Sequence, residues 1–214
     1  MLKIGLTGGI ASGKSAVGEM FVKLGARLTQ SDAVAHLLMQ PGQAVYEEVV
    51  RRFGREILDP DGTVNRSRLA EAAFGGAEGA LPRVKELNEI VHPAVIAYEN
   101  KWIEEIRRRD PNAIAIVEAA LILEARAAGR FDRLIVVTCD PEQRIQRFAR
   151  RQGISEEAAR AEVTRRMAAQ IPDEEKVKAA DFVIDNSGTL AATERQVQRV
   201  FGELLSARNN DHRG

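Results

Sequence analysis

The chain has 214 residues, enough for one substantial core or for a core with an inserted subdomain. Its 31 Lys+Arg balance its 31 Asp+Glu, which excludes a strong overall field towards nucleic acid or an anionic bilayer. Cys139 is the single cysteine, so an intrachain disulfide is excluded and a reducing compartment is expected.

The first apolar run, Leu2–Thr7, reads as a strand, and Gly8-Gly9-Ile10-Ala11-Ser12-Gly13-Lys14-Ser15 follows it directly. This fits G-x-x-x-x-G-K-[ST], a loop that wraps nucleotide phosphates. Small residues let successive backbone N–H groups turn inward around an anion. The helix expected from about Gly13, with Val17, Met20, Phe21 and Leu24 on one stripe, adds the positive end of its dipole. Lys14 supplies a point charge for the β- and γ-phosphates, and the Ser15 hydroxyl is a hard ligand for Mg²⁺. The nucleotide-binding set therefore reads Gly8, Gly9, Ala11, Ser12, Gly13, Lys14, Ser15 and Ala16. The loop is reached within eight residues, so no cleaved signal peptide is expected.

A second strand is expected over Ala26–Gln30, with Asp32 just beyond its carboxyl end. A carboxylate there can take the proton of an attacking hydroxyl or help to hold a metal. Position alone leaves that role level with helix capping at Ser31-Asp32. The stretch 32–111 reads as helix after helix, punctuated at Pro41-Gly42, Asp59-Pro60-Asp61-Gly62 and His92-Pro93, and is expected to be an acceptor-binding insert. His92 reads from position alone as a packed or capping residue; His36 and His212 carry less.

The third strand, Ala113–Val117, ends at Glu118, and Glu124 closes Leu121-Ile122-Leu123; either acid can stand beside a metal ion. The apolar stretch Ala113–Leu123 contains Glu118 and is too short to span a bilayer. A fourth strand, Arg133–Thr138, places Cys139 as a packed thiol. Pro141–Gln152 reads as a helix stopped by Gly153, and Ser155 caps the next. Arg144, Arg147 and Arg151 share one face, with Ile145 and Phe148 as anchors, so their guanidinium groups are expected in a cleft. Arg166 on the following helix is equally well used in an i,i+4 pair with Glu162. A fifth strand over Asp181–Ile184, a helix from about Thr189 to Leu205 and a frayed tail complete the chain.

Short apolar strands alternating with helices imply a three-layer α/β/α fold around a five-stranded parallel sheet, with an all-helical insert and a helical lid. The expected divisions are a nucleotide-binding core (1–31, 112–140 and 170–206), the acceptor domain (32–111), the lid (141–169) and a flexible tail (207–214).

Beyond the loop, the residues resemble dephospho-CoA kinases, P-loop kinases of the nucleoside-monophosphate-kinase-like group. Leu6–Ser15 is similar to that family's opening. Gln30–His36 follows D-x-D-x-x-A-[RH]; Cys139, Glu142 and Arg147 keep C-x-x-E-x-Q-x-x-R. Pro41-Gly42, Asp61-Gly62, Arg66, Leu69, Phe74 and His92-Pro93 follow its acceptor domain. Arg166, Gln170, Lys176, Ala180-Asp181 and Ile184–Gly188 follow its lid and last strand. Three departures stand out: Gln30 replaces the first Asp, Glu118 and Ala120 replace Asp and Pro of D-x-P-L-L-x-E, and Arg144 replaces Gln.

The resemblance implies transfer of a phosphoryl group from ATP to the ribose 3′-hydroxyl of dephospho-CoA, in the cytoplasm, by a monomer or weak homo-oligomer without nucleic-acid or membrane partners. It assigns catalysis to Asp32, Lys14 and Arg147, and the nucleotide additionally to Arg151 and Asn186. The acceptor falls to Asp32, His92, Arg66 and Arg166, and Mg²⁺ to Ser15 and Glu118. From the residues alone, a kinase for a nucleoside monophosphate or sugar acid stays open. A nucleotide-operated switch is a poor fit. Asp59–Gly62 spells D-x-x-G without a buried strand before it, and Asn100-Lys101 is followed by Trp102-Ile103 instead of completing N-K-x-D.

Overall fold

The computed structural model describes residues 1–75 and 83–211. In chain order these form β1 (Leu2–Gly8), α1 (Lys14–Lys23), β2 (Arg27–Gln30), α2 (Ser31–Leu38), α3 (Ala44–Phe53), α4 (Arg66–Phe74) and α5 (Val84–Arg109). There follow β3 (Ile114–Glu118), β4 (Arg133–Thr138), α6 (Pro141–Gln152), α7 (Glu156–Ala168), α8 (Asp173–Lys178), β5 (Phe182–Asp185) and α9 (Leu190–Asp211). Two compact units result: 1–29 with 103–214, and 30–102.

In the first unit the strands lie in the order β2-β3-β1-β4-β5, five among the described residues. The ladders β1–β3, β1–β4 and β4–β5 are parallel. Alternation along the strands supplies two apolar faces. Ile135 and Val137 of β4 join Leu2, Ile4 and Leu6 of β1, together with Val17, Met20 and Phe21 of α1 and Val197, Val200 and Leu204 of α9. Leu134 and Val136, one residue out of phase, pack with Ile122 on the other side. Burial on both faces is why these strands read as continuous apolar runs. Each such side chain removed from water contributes about 1.5–3 kcal/mol.

The second unit has its own core. Val45, Val49 and Phe53 recur every fourth residue on α3 and meet Val34, Ile57, Leu69, Val91 and Val95. Asp59–Gly62 forms the expected turn: Gly62 N–H donates to the Asp59 carbonyl at 2.9 Å, and an isolated antiparallel bridge joins Leu58 and Val64. Asn65 caps α4 by accepting from Arg68 N–H at 3.0 Å.

Two elements differ from expectation. Helix α5 runs through Pro93 without ending there. Proline forfeits one backbone hydrogen bond, but Val91 and Val95 on either side are buried and keep the helix on its core. The last helix extends past Leu205 to Asp211, so the expected tail is helical over 207–211, while 212–214, with His212, lie outside the described residues. No described helix is long and apolar enough to cross a membrane.

Candidate active site

The segment from Gly8 to Ser15 turns between β1 and α1. Ala11 has φ +53° and Gly13 φ +92°, so left-handed residues alternate with ordinary ones and fold the amides into a concave loop. Gly13 is demanded twice, because a Cβ there would also overlap the Asn186 side-chain amide. Gly8 is tied by proximity to the Val137 carbonyl, which a Cβ would overlap. Helix α1 has no side-chain N-cap, which leaves its first amides for a ligand. The Ser12 hydroxyl is buried with no hydrogen-bond partner among the described residues. Lys14 Nζ lies 3.4 Å from the Gly9 carbonyl, folded over the loop, and Ala16 is exposed in the first turn of α1. An anion fits this loop.

On the β3 side, the Ser15 hydroxyl donates to Glu118 Oε1 at 2.8 Å. Glu118 is buried at the end of β3. Glu124, its rival from sequence, is engaged elsewhere: Lys176 Nζ lies 2.9 Å from its Oε1, and Ile171 N–H donates to the same atom at 3.2 Å. Lys176, 1% exposed, also donates to Gln170. The pairing of Glu124 with a lysine is a buried structural bond, and only Glu118 meets the loop hydroxyl. Two hard oxygens meeting at Ser15 and Glu118 suit Mg²⁺, which needs few protein ligands.

Helix α6 supports the loop from its other flank. Asp140 caps α6 through Glu142 and Gln143 N–H, and Gly153 ends it with φ +66°. Arg147 donates to the Asn186 carbonyl at 2.9 Å and to the Ser12 carbonyl at 3.4 Å, and its Nη1 lies 3.2 Å from Cys139 Sγ. Asn186 itself, buried after β5, donates to the Ser12 carbonyl at 2.8 Å and accepts from the Thr193 hydroxyl at 3.0 Å. Burial pushes the Cys139 thiol up, with Arg147 and Arg144 opposing more weakly, so the packed-thiol expectation agrees with its surroundings.

The arginine stripe does not behave as one face. Arg144 is 1% exposed, pairs with Asp173 and donates its Nε to the Cys139 carbonyl at 2.8 Å. Its guanidinium is therefore packed inside and is not presented to a cleft, because a partner 29 residues ahead draws it in. Arg151 and Arg166 are exposed, and their guanidinium carbons stand 5.5 and 5.6 Å from the centre of the Phe148 ring. Arg166 also takes up the expected pair with Glu162 at 2.5 Å. Arg160 pairs with Glu142 of α6 at 2.5 Å, tying α7 to α6. Ile10 of the loop shares one apolar cluster with Ile145, Phe148, Ala159 and Val163 of those helices.

Asp32, Arg66 and His92 belong to the second unit. Asp32 is exposed in the first turn of α2 and caps nothing, since Gln30 is the N-cap and makes no side-chain cap bond. The capping alternative thereby loses its support. Arg66 and His92 are exposed, so His92 is not a packed histidine. One contributor escaped the sequence reading: Glu99, 1% exposed on α5, accepts from the Ser31 hydroxyl at 2.6 Å and so fixes the residue before Asp32. A lone buried acid in a helix rich in acids carries no local signal of that bond.

The chain is similar to known proteins over nearly its whole length. The sequence profile of the dephospho-CoA kinase family matches residues 2–192. A dephospho-CoA kinase of Aquifex aeolicus is 42% identical over 95% of this chain and 98% of its own. One of Corynebacterium glutamicum is 36% identical over 98% of this chain and all of its own. The solved dephospho-CoA kinase of Campylobacter jejuni superposes with a TM-score of 0.66 at 25% identity, covering 96% of this chain and 98% of its own.

Proposed function

The chain belongs to the dephospho-CoA kinase family and is a phosphotransferase of CoA biosynthesis, and we propose that it moves the γ-phosphoryl group of ATP to the ribose 3′-hydroxyl of dephospho-CoA. The observation that supports this division of labour best is the loop of Gly8–Ser15, whose left-handed Ala11 and Gly13 and uncapped α1 terminus leave backbone amides for the phosphates of ATP. In this reading Gly8, Gly9, Ala11, Ser12, Gly13, Lys14, Ser15 and Ala16 hold the donor. Lys14 leaves the Gly9 carbonyl for the β- and γ-oxygens, where a mobile cation follows developing charge.

Ser15 and Glu118 would hold Mg²⁺, with water and phosphate completing its shell, since the described residues offer no cluster of three ligating side chains. The ion would neutralise charge between the phosphates. Asp32 orients the 3′-hydroxyl and takes its proton. Arg66 and His92 bind the acceptor, with Arg166 beside Phe148. Arg147, which holds the Ser12 carbonyl, would act with Arg151 and Arg166 on the phosphoryl group in transit. Arg151 faces the donor, and the turn at Asn186 lies near the base. Helices α6 and α7 act as the lid, excluding water that would hydrolyse ATP. The protein acts in the cytoplasm as a monomer or weak homo-oligomer.

A phosphorus NMR spectrum of the product tests the reaction. It should show a 3′-monoester, and an acceptor lacking the ribose 3′-hydroxyl should consume no ATP. Equal ATP consumption with that analogue would contradict the reading.

A further inference from the structure

Arg144 stands where the resembled pattern has Gln, and its surroundings are those of a charge, not of an amide. The side chain is buried. Nε donates to the Cys139 carbonyl at 2.8 Å and Nη2 pairs with Asp173. Nη1 is buried without a hydrogen-bond partner among the described residues. That same Nη1 lies against Gly9 of the phosphate loop, so closely that a Cβ on Gly9 would overlap it; the same Cβ would lie 3.4 Å from Asp173 Oδ1. The space beside the loop is thus occupied by a guanidinium and its counter-ion. The two halves are unequally wet, since the Asp173 side chain is 33% exposed against 1% for Arg144. Water screens the carboxylate more than the cation, which leaves a net positive field at the loop.

We propose that Arg144 is a positioning residue that strengthens the hold of the loop on the donor phosphates through its buried charge, and that Asp173 attenuates it. This rests on the loop taking a nucleoside triphosphate. A buried cation with an idle donor is stabilised by an anion entering the loop, and by linkage the anion then binds more tightly. Removing the attenuating carboxylate should therefore help the ligand while harming the empty protein. A pair serving only to brace the loop behaves otherwise, because breaking it from either side would loosen the loop and weaken binding.

The test is the equilibrium dissociation constant of MgATP for the full chain and three variants, by calorimetry. Arg144→Gln should weaken binding about fivefold to tenfold, and Asp173→Asn should tighten it about threefold or more, near the low end of typical coupling between two sites. Arg144→Lys keeps the charge without the fork and should stay within about twofold of the parent. Weakening by both Arg144→Gln and Asp173→Asn, or equal loss in Arg144→Lys and Arg144→Gln, overturns the proposal. Should Asp173→Asn not fold, the Lys and Gln variants at 144 decide alone. Failure of the unsubstituted protein to bind MgATP would instead refute the loop reading.

Discussion

The Ser15 hydroxyl donates to Glu118 Oε1 across 2.8 Å, joining the first turn of α1 to the end of β3. The bond singles out Glu118 from Glu124, since the latter faces Lys176. If this pair holds Mg²⁺, Glu118→Gln should keep the fold, raise the Mg²⁺ concentration for half-maximal rate and lower kcat by about tenfold to a hundredfold. A Mg²⁺ titration of the rate checks it; an unchanged titration curve would move the metal role away from Glu118.

Asp32 is exposed in the first turn of α2 and is not its N-cap, and the role proposed for it is catalytic. Asp32→Asn should bind MgATP like the parent yet turn over about 10²- to 10⁴-fold more slowly. Calorimetry and single-turnover kinetics together separate the two effects. A kcat near that of the parent would remove Asp32 from catalysis.

Asn186 and Arg147 converge on the Ser12 carbonyl, and Asn186 is buried. Asn186→Ala leaves that carbonyl and the Thr193 hydroxyl short of a partner, at a cost of about 1–3 kcal/mol in stability. Weaker MgATP binding should accompany it, because Ser12 lies inside the loop. Denaturant unfolding and nucleotide titration measure both; a loss of stability with unaltered binding would show that Asn186 serves the fold alone.

The Lys176–Glu124 pair gives a sharper energetic test. Lys176 is 1% exposed, so Lys176→Met strands a largely buried carboxylate and should cost about 3–5 kcal/mol. The double variant Lys176→Met with Glu124→Leu should recover most of that loss, since an apolar pair needs no desolvation. If the double variant is as unstable as the single one, the pair is not the source of the cost.

What was legible in the sequence was local. Helix α6 spans Pro141–Gln152 as expected, and Gly153 and Ser155 end and begin their helices as read, since stops and caps act within a few residues. The strand positions followed from apolar runs. Illegible were the partners brought in by folding: Asp173 for Arg144, Lys176 for Glu124, Glu99 for Ser31. Arg144 read as one of three equivalent arginines because helical spacing says which face a residue shares, not what charge waits there. Pro93 misled for the opposite reason, a local signal outweighed by burial of Val91 and Val95.

The clasp between α6 and α7 should depend on pH with a definite sign. Arg160, by hydrogen bonding and then by charge, holds the Glu142 carboxyl below the usual glutamate range. Its folded pKa is lowered, so its contribution is present above the unfolded value and lost as pH falls through the folded one. Thermal melts of the parent and Glu142→Gln should differ at neutral pH and converge as the medium becomes acid. A difference that persists unchanged at acid pH would exclude the pair as its source.

The acceptor distinguishes this kinase from others built on the same phosphate loop. The most direct measurement compares kcat/KM for dephospho-CoA, AMP and gluconate at fixed MgATP, following ADP release. Dephospho-CoA should be preferred by about 10³-fold or more, the scale of discrimination by a site built around a substrate's polar groups. Comparable or faster turnover of AMP or gluconate would contradict it.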